Sequence, residues 1–154
     1  MAEPREFISL RIAVLTVSDT RSLADDKSGQ VLQDRIAAAG HAIADRQIVK
    51  DDVAAIRRVV KAWGTRSDID VIISTGGTGL TGRDVTVEAM RPLFEKEIEG
   101  FSTLFHMISF QKIGTSTVQS RATAGVMKGK YVFCLPGSPG ACRPARSWSV
   151  PSSR

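Results

Sequence analysis

The stretch VIISTGGTGLTGRDVT, Val71 to Thr86, runs from a short β-branched segment straight into a glycine-rich loop. A brief apolar run that ends in a glycine cluster reads as a buried strand turning toward a helix. Gly77, Gly79 and Gly82 satisfy G-x-G-x-x-G, the spacing of a dinucleotide loop. Gly77 to Gly82 also satisfies the G-x-x-x-x-G of a P-loop, but Arg83 and Asp84 stand where that loop has Lys and Ser/Thr. Whatever anion this loop holds, it places a carboxylate beside it.

Upstream, LRIAVLTVSD is a second run of the kind a buried parallel strand needs. SGQVLQDRIAAAG places Leu32, Ile36 and Ala39 at helical spacing, with Gly40 positioned to end the helix. HAIADRQIV is a weaker, edge-like strand. In DDVAAIRRVVKAWG, Val53, Ile56, Val60 and Trp63 share one helical face, with Asp51 or Asp52 as N-cap. The resulting β-α-β-α-β order predicts right-handed crossovers and a mainly parallel sheet between helices. Downstream, VTVEAMRPLF begins a helix with Thr86 as a candidate cap, and EKEIEG shows no strand pattern. FSTLFHMISF is helical, and RATAGVMKGKYVFCLPG is a hairpin about Lys128–Gly129. The expected fold is one three-layer α/β/α sandwich over residues 1–154, mainly parallel with a small antiparallel addition.

Composition narrows the function classes. The net charge of +5 owes much to Arg143, Arg146 and Arg154; without them 18 basic residues face 16 acidic ones. No basic run or aromatic platform accompanies that balance, which argues against nucleic acid. Cys134 and Cys142 match no zinc spacing and suggest a reducing compartment. The apolar runs are too short to span a membrane and MAEPREFISLR does not read as a signal peptide, so a cytoplasmic protein is expected.

In open α/β sheets ligands lie outside the carboxyl ends of the strands, where STGGTG falls. Thr75, Gly76, Gly77, Thr78 and Gly79 offer hydroxyls and close-approaching amides to an anion, or form a plain strand-to-helix turn. Asp51, after the strand-like QIV, occupies the same end as Asp84. Two carboxylates flanking an anion loop suit Mg²⁺ on a triphosphate. As alternatives, Asp51 caps its helix and Thr81-x-x-Asp84 forms a capping box. His106 reads as structural, and unaided the TSTVQSR segment reads as a solvated polar stretch.

From Arg11 to Ala145 the chain resembles the MoaB/Mog family of molybdenum-cofactor biosynthesis proteins, its MoaB branch in particular. The resemblance rests on VLTVSDTR, KDD, TGGTG with RDVT, KEIEGF, GTSTVQSRA and LPGSPGACR. It implies a Mog-like fold, a homotrimer or homohexamer, and binding of molybdopterin. It also implies adenylylation of that pterin with Mg²⁺-ATP, with release of pyrophosphate, and contact with other cofactor-biosynthesis proteins. Asp51 and Asp84 match the family's essential acids and Thr75–Gly79 its ligand loop. Ser18, Asp19, Ser116, Ser120, Arg121, Pro136, Gly137 and Ser138 match surrounding pocket segments. A non-catalytic pterin-binding paralogue, acting as carrier or regulator, is the alternative; a dinucleotide-dependent oxidoreductase survives only as G-x-G-x-x-G. After Ala145 the family pattern gives way to RSWSVPSSR, a tail expected to add no regular helix and to reflect a frameshift or truncation.

Overall fold

The computed structural model describes residues 5–137. The segment from Ser138 onward, including Cys142 and the divergent tail, lies outside the described residues.

Strands β1 (Arg11–Val17), β2 (Ala42–Val49) and β3 (Val71–Thr75) alternate with helices α1 (Lys27–Ala38) and α2 (Val53–Gly64). A short helix α3 (Thr86–Met90) continues into a 3-10 turn at Arg91–Leu93. Next come β4 (Lys96–Glu97), α4 (Glu99–Ile113), a 3-10 segment Gly114–Gln119, β5 (Thr123–Met127) and β6 (Lys130–Leu135). The six strands run in the order β2-β1-β3-β6-β5-β4. β2, β1, β3 and β6 pair in parallel, while β5 is antiparallel to both neighbours. The expected architecture is present, with one correction: Lys96 and Glu97, in a segment without strand alternation, pair with Val126 and Gly125. Two residues are too few for a period to show, and the pairing is made by the neighbouring strand.

Alternation along the central strands builds two cores. Ala13, Leu15, Val17, Ile72, Val132 and Cys134 face Ile56, Val60 and Trp63 of α2 and Ala89 and Met90 of α3. Ile12, Val14, Val71 and Leu135 face Leu32 and Ile36 of α1 and Phe101 and Phe105 of α4. Burial on both faces explains why β1 and β3 read as continuous apolar runs, and β2, paired on one side only, reads as an edge. Trp63 is buried with its indole N–H donated to Asp45 Oδ2 at 3.1 Å, so its polar atom is satisfied inside the layer. The β5–β6 turn has Lys128 at φ 49° and Gly129 at φ 75°, the paired left-handed residues of a two-residue hairpin loop. His106, expected to be structural, has its Nδ1 3.0 Å from Thr117 Oγ1.

Helix starts differ from expectation in instructive ways. Asp52, not Asp51, caps α2, accepting the Ala55 N–H at 2.8 Å. Val85 occupies the N-cap position of α3, and Thr86 turns its hydroxyl to the Gly76 carbonyl instead. Thr81 and Asp84 bond to each other, but inside the loop, two residues short of the helix.

Ile72, fully buried in β3 between two paired strands, is a sensitive test of this core. Ile72→Ala is expected to cost about 2–5 kcal/mol. Ile8→Ala, at an exposed site, should stay within about 0.5 kcal/mol. Urea unfolding of both variants checks the difference.

Candidate functional site

The parallel strands β1, β3 and β6 end side by side, and the loops that leave them enclose a cavity of about 400 Å³. It is lined by Thr16, Val17 and Ser18 at the end of β1, by Asp51, by Thr75–Gly79 and Asp84, by Ser116, Gln119 and Ser120, and by Pro136 and Gly137. Arg21 and Ser28, from the loop and first turn of α1, complete the wall.

The glycine loop is locked from both sides. Gly76 donates its N–H to Leu135 O at 3.0 Å, and Thr86 returns its hydroxyl to Gly76 O at 2.8 Å and its N–H to Gly77 O at 3.0 Å. Gly77 has φ +71°, and a Cβ there would lie 2.2 Å from Thr86 Oγ1 and 3.5 Å from Asp51 Oδ1. A Cβ on Gly79 would lie 2.6 Å from Asp84 Oδ2. The two carboxylates therefore flank the loop at successive glycines; a side chain at Gly79 would collide with Asp84, and one at Gly77 would collide with Thr86. Among the described residues, the amides of Gly77, Thr78 and Gly79 have no hydrogen-bond partner. Consecutive free amides of this kind form an anion-binding concavity. Thr75 donates its hydroxyl to Pro136 O at 3.0 Å, tying the end of β3 to the end of β6.

The carboxylates have distinct settings. With Asp52 taking the cap, Asp51 is left facing the cavity. Burial, together with the charges of Asp19 and Asp84, holds the Asp51 carboxyl above its ordinary range, with Arg83 partly opposing them. Asp84 is oriented by Thr81, whose N–H and hydroxyl both donate to Asp84 Oδ2 at 3.0 and 2.7 Å. Asp19 accepts the Asp51 N–H at 3.0 Å and pairs with the Arg83 guanidinium, which holds its carboxyl below the usual range.

Most residues expected at the site converge there: Ser18, Asp51, Thr75, Gly76, Gly77, Thr78, Gly79, Asp84, Ser116, Ser120, Pro136 and Gly137 line one cavity. Asp19 faces a neighbouring hollow that shares Ser18 and Arg21 with it. Ser138 lies outside the described residues. Arg121 does not line the cavity. Its Nε donates to Gly79 O at 2.9 Å, its Nη2 to Asp84 O at 3.1 Å, and its fork grips the Glu88 carboxylate. It clamps both ends of the glycine loop from behind. Thr16, Val17, Arg21, Ser28 and Gln119 were not legible as site residues. Ser28 sat inside a helix pattern, and only the folded chain brings its hydroxyl to Gly137 O. Buried Asp26 anchors that wall, accepting the Thr16 hydroxyl at 2.6 Å, the Gly29 N–H at 3.0 Å and Arg46 Nη2 at 3.2 Å.

Ser120 Oγ is buried on the cavity wall without a partner among the described residues, a group that an occupant would satisfy. No cluster of three or more metal-ligating side chains occurs among the described residues. A cation here would therefore draw on the carboxylate pair and on its own ligand's oxygens, the usual arrangement for Mg²⁺. Cys134 is buried in the sheet, its thiol pushed up to about 12, and takes no part. No helix among the described residues is long and apolar enough to cross a membrane.

Comparison with known proteins agrees with this geometry. The family profile described as "Probable molybdopterin binding domain" matches residues 13–152. Molybdenum cofactor biosynthesis protein B of Escherichia coli K12 is 52% identical over 140 residues, covering 91% of this chain and 82% of that protein. A crystal structure of a molybdenum cofactor biosynthesis protein B superposes with a TM-score of 0.90 at 44% identity, covering 95% of this chain and 91% of that one. The tungsten cofactor synthesizing protein MoaB from Pyrococcus furiosus superposes at 0.74 with 36% identity, covering 88% and 86%. With its glycine loop, paired acids and three-layer sheet, the chain belongs to the MoaB/Mog family of molybdenum-cofactor biosynthesis proteins.

Proposed function

We propose that this protein binds molybdopterin in the cavity at the strand ends and adenylylates it with Mg²⁺-ATP. The observation that carries the reading is the pair Asp51 and Asp84, set against Gly77 and Gly79 beside three amides without a partner among the described residues. Neither carboxylate is spent on a helix cap. A phosphate of the pterin attacks the α-phosphorus of ATP; the bond to the β-phosphate oxygen breaks and pyrophosphate leaves. The free loop amides hold the reacting anions in line, and the rigid lock on Gly76 and Gly77 keeps them so without reorganisation. Asp51 and Asp84 would hold the Mg²⁺, which supplies charge neutralisation at the phosphate. The raised Asp51 carboxyl supports this assignment, since a site that crowds negative charge is completed by a cation.

Asp51→Asn and Asp84→Asn should each lower adenylyl transfer about 100-fold or more while leaving the fold intact. Stability gives a second readout for Asp51. Its folded carboxyl titrates above the unfolded value of 3.8, so its contribution is most favourable below that value and is lost as pH rises through the folded one. Asp51→Asn should therefore raise the thermal midpoint at pH 7, and the gain should vanish near pH 3. A lowered midpoint at pH 7 would make Asp51 a structural residue. Wild-type protein that binds molybdopterin yet transfers no adenylyl group from Mg²⁺-ATP would make it a binding-only carrier or regulator.

We also propose that the chain assembles as a homotrimer or homohexamer in the cytoplasm. Leu104, Met107, Phe110 and Ile113 of α4 and nearby Val118 are exposed, although Phe101 and Phe105 of the same helix are buried. So many exposed apolar side chains near one helix support an interface rather than a solvated face. Light scattering should give the mass of three or six chains, and Phe110→Arg should shift it downward. A monodisperse, active wild-type monomer at micromolar concentration would count decisively against assembly.

A further inference from the structure

Arg83 reaches the cavity through Asp19, whose carboxylate also accepts the N–H of the cavity-lining Asp51. Its side chain is 71% exposed, and its guanidinium is directed at the Asp19 carboxylate through Nε at 3.0 Å and through Nη2. Asp19 belongs to the loop after β1 and Arg83 to the loop after β3, so the pair bridges the two loops beside Asp51, whose N–H Asp19 also accepts. The other arginines of this region are committed. Arg121 is spent on two carbonyls and Glu88, Arg46 on Asp26 and two glutamines, and Arg21 donates to Ser28. Lys50 lies close enough to Asp19 to lower its carboxyl, and with Arg21 it lines the hollow beside this bridge.

We propose that Arg83 is the polyphosphate contact of the site, exchanging Asp19 for the β- and γ-phosphates of the incoming nucleotide. The inference rests on the adenylyl-transfer reading given above and adds a residue and a movement to it. An exposed ion pair between two loops contributes little to stability and is readily exchanged. A planar guanidinium matches phosphate oxygens as well as it matches a carboxylate, and a polyphosphate offers it more charge. When the bond from the α-phosphorus to the bridging oxygen breaks, its electron pair stays on pyrophosphate. Arg83 is then the side chain placed to stabilise that leaving group.

The test is calorimetric titration of the full chain with two probes in Mg²⁺ buffer: AMP, and α,β-methylene-ATP, which cannot transfer its adenylyl group. Arg83→Ala should weaken the triphosphate analogue tenfold or more, change AMP and molybdopterin affinity less than twofold, and leave the thermal midpoint nearly unaltered. Arg83→Lys should fall between, since it keeps the charge and loses the fork. Asp19→Asn, which keeps an acceptor for the Asp51 N–H but removes the charge that holds Arg83, should bind the analogue at least as tightly as wild type. Equal analogue affinity in wild type and Arg83→Ala, or equal losses for AMP and the analogue, overturns the proposal while leaving adenylyl transfer standing. A loss in Asp19→Asn as large as that in Arg83→Ala overturns the exchange. A wild-type chain that binds no analogue overturns both readings together.

Discussion

The turn at Gly76 and Gly77 is the constraint on which the site depends. Here β3 leaves the sheet between β1 and β6, and the chain must reverse without burying an unsatisfied amide. Thr86 resolves this by giving its hydroxyl and its N–H to the two glycine carbonyls. Gly76 passes its own N–H to the end of β6. With the carbonyls held back, the amides of Gly77, Thr78 and Gly79 are left without a partner among the described residues. The proposed anion site thus follows from closing a turn whose carbonyls are held by Thr86 between two paired strands.

Charge at the cavity mouth is distributed by a division of labour among neighbouring acids. Asp52 caps α2, so Asp51 need not. Asp26 is buried as the cap of α1 and the partner of Arg46, so it shapes the wall rather than facing the ligand. Asp19 holds the Asp51 amide and Arg83 at once. Asp51 is left crowded by like charge in a partly desolvated place, the setting in which a carboxylate does most for a bound cation. Arg121 contributes from behind, where its fork ties Gly79, Asp84 and Glu88 into one unit.

The sequence was most legible where burial was greatest. Continuous apolar runs at β1 and β3 announced strands covered on both faces, and the spacing of Ile56, Val60 and Trp63 announced the covered face of α2. The Lys128–Gly129 turn was readable because few residues accept the left-handed region both of its positions occupy. The two-residue β4 carried no period at all. Helix starts were ambiguous for a related reason: Asp51 and Asp52 are chemically identical candidates, and only the path of the chain into α2 decides which reaches the Ala55 amide.

What the sequence determined by itself was the order of strands and helices and the chemistry available at one loop: glycines for close approach, hydroxyls, and an Arg-Asp pair in place of Lys-Ser. These follow from local sterics and from period, which neighbouring residues express without help from the rest of the chain. Tertiary structure decided which of those groups meet. It set Asp51 beside Gly77 although 26 residues separate them, brought Ser28 to Gly137, and turned Arg121 from a candidate ligand contact into the clamp behind the loop. No local pattern encodes such meetings, because they depend on the register and twist of β1, β3 and β6, whose ends converge only once the two cores on either face of the sheet have packed.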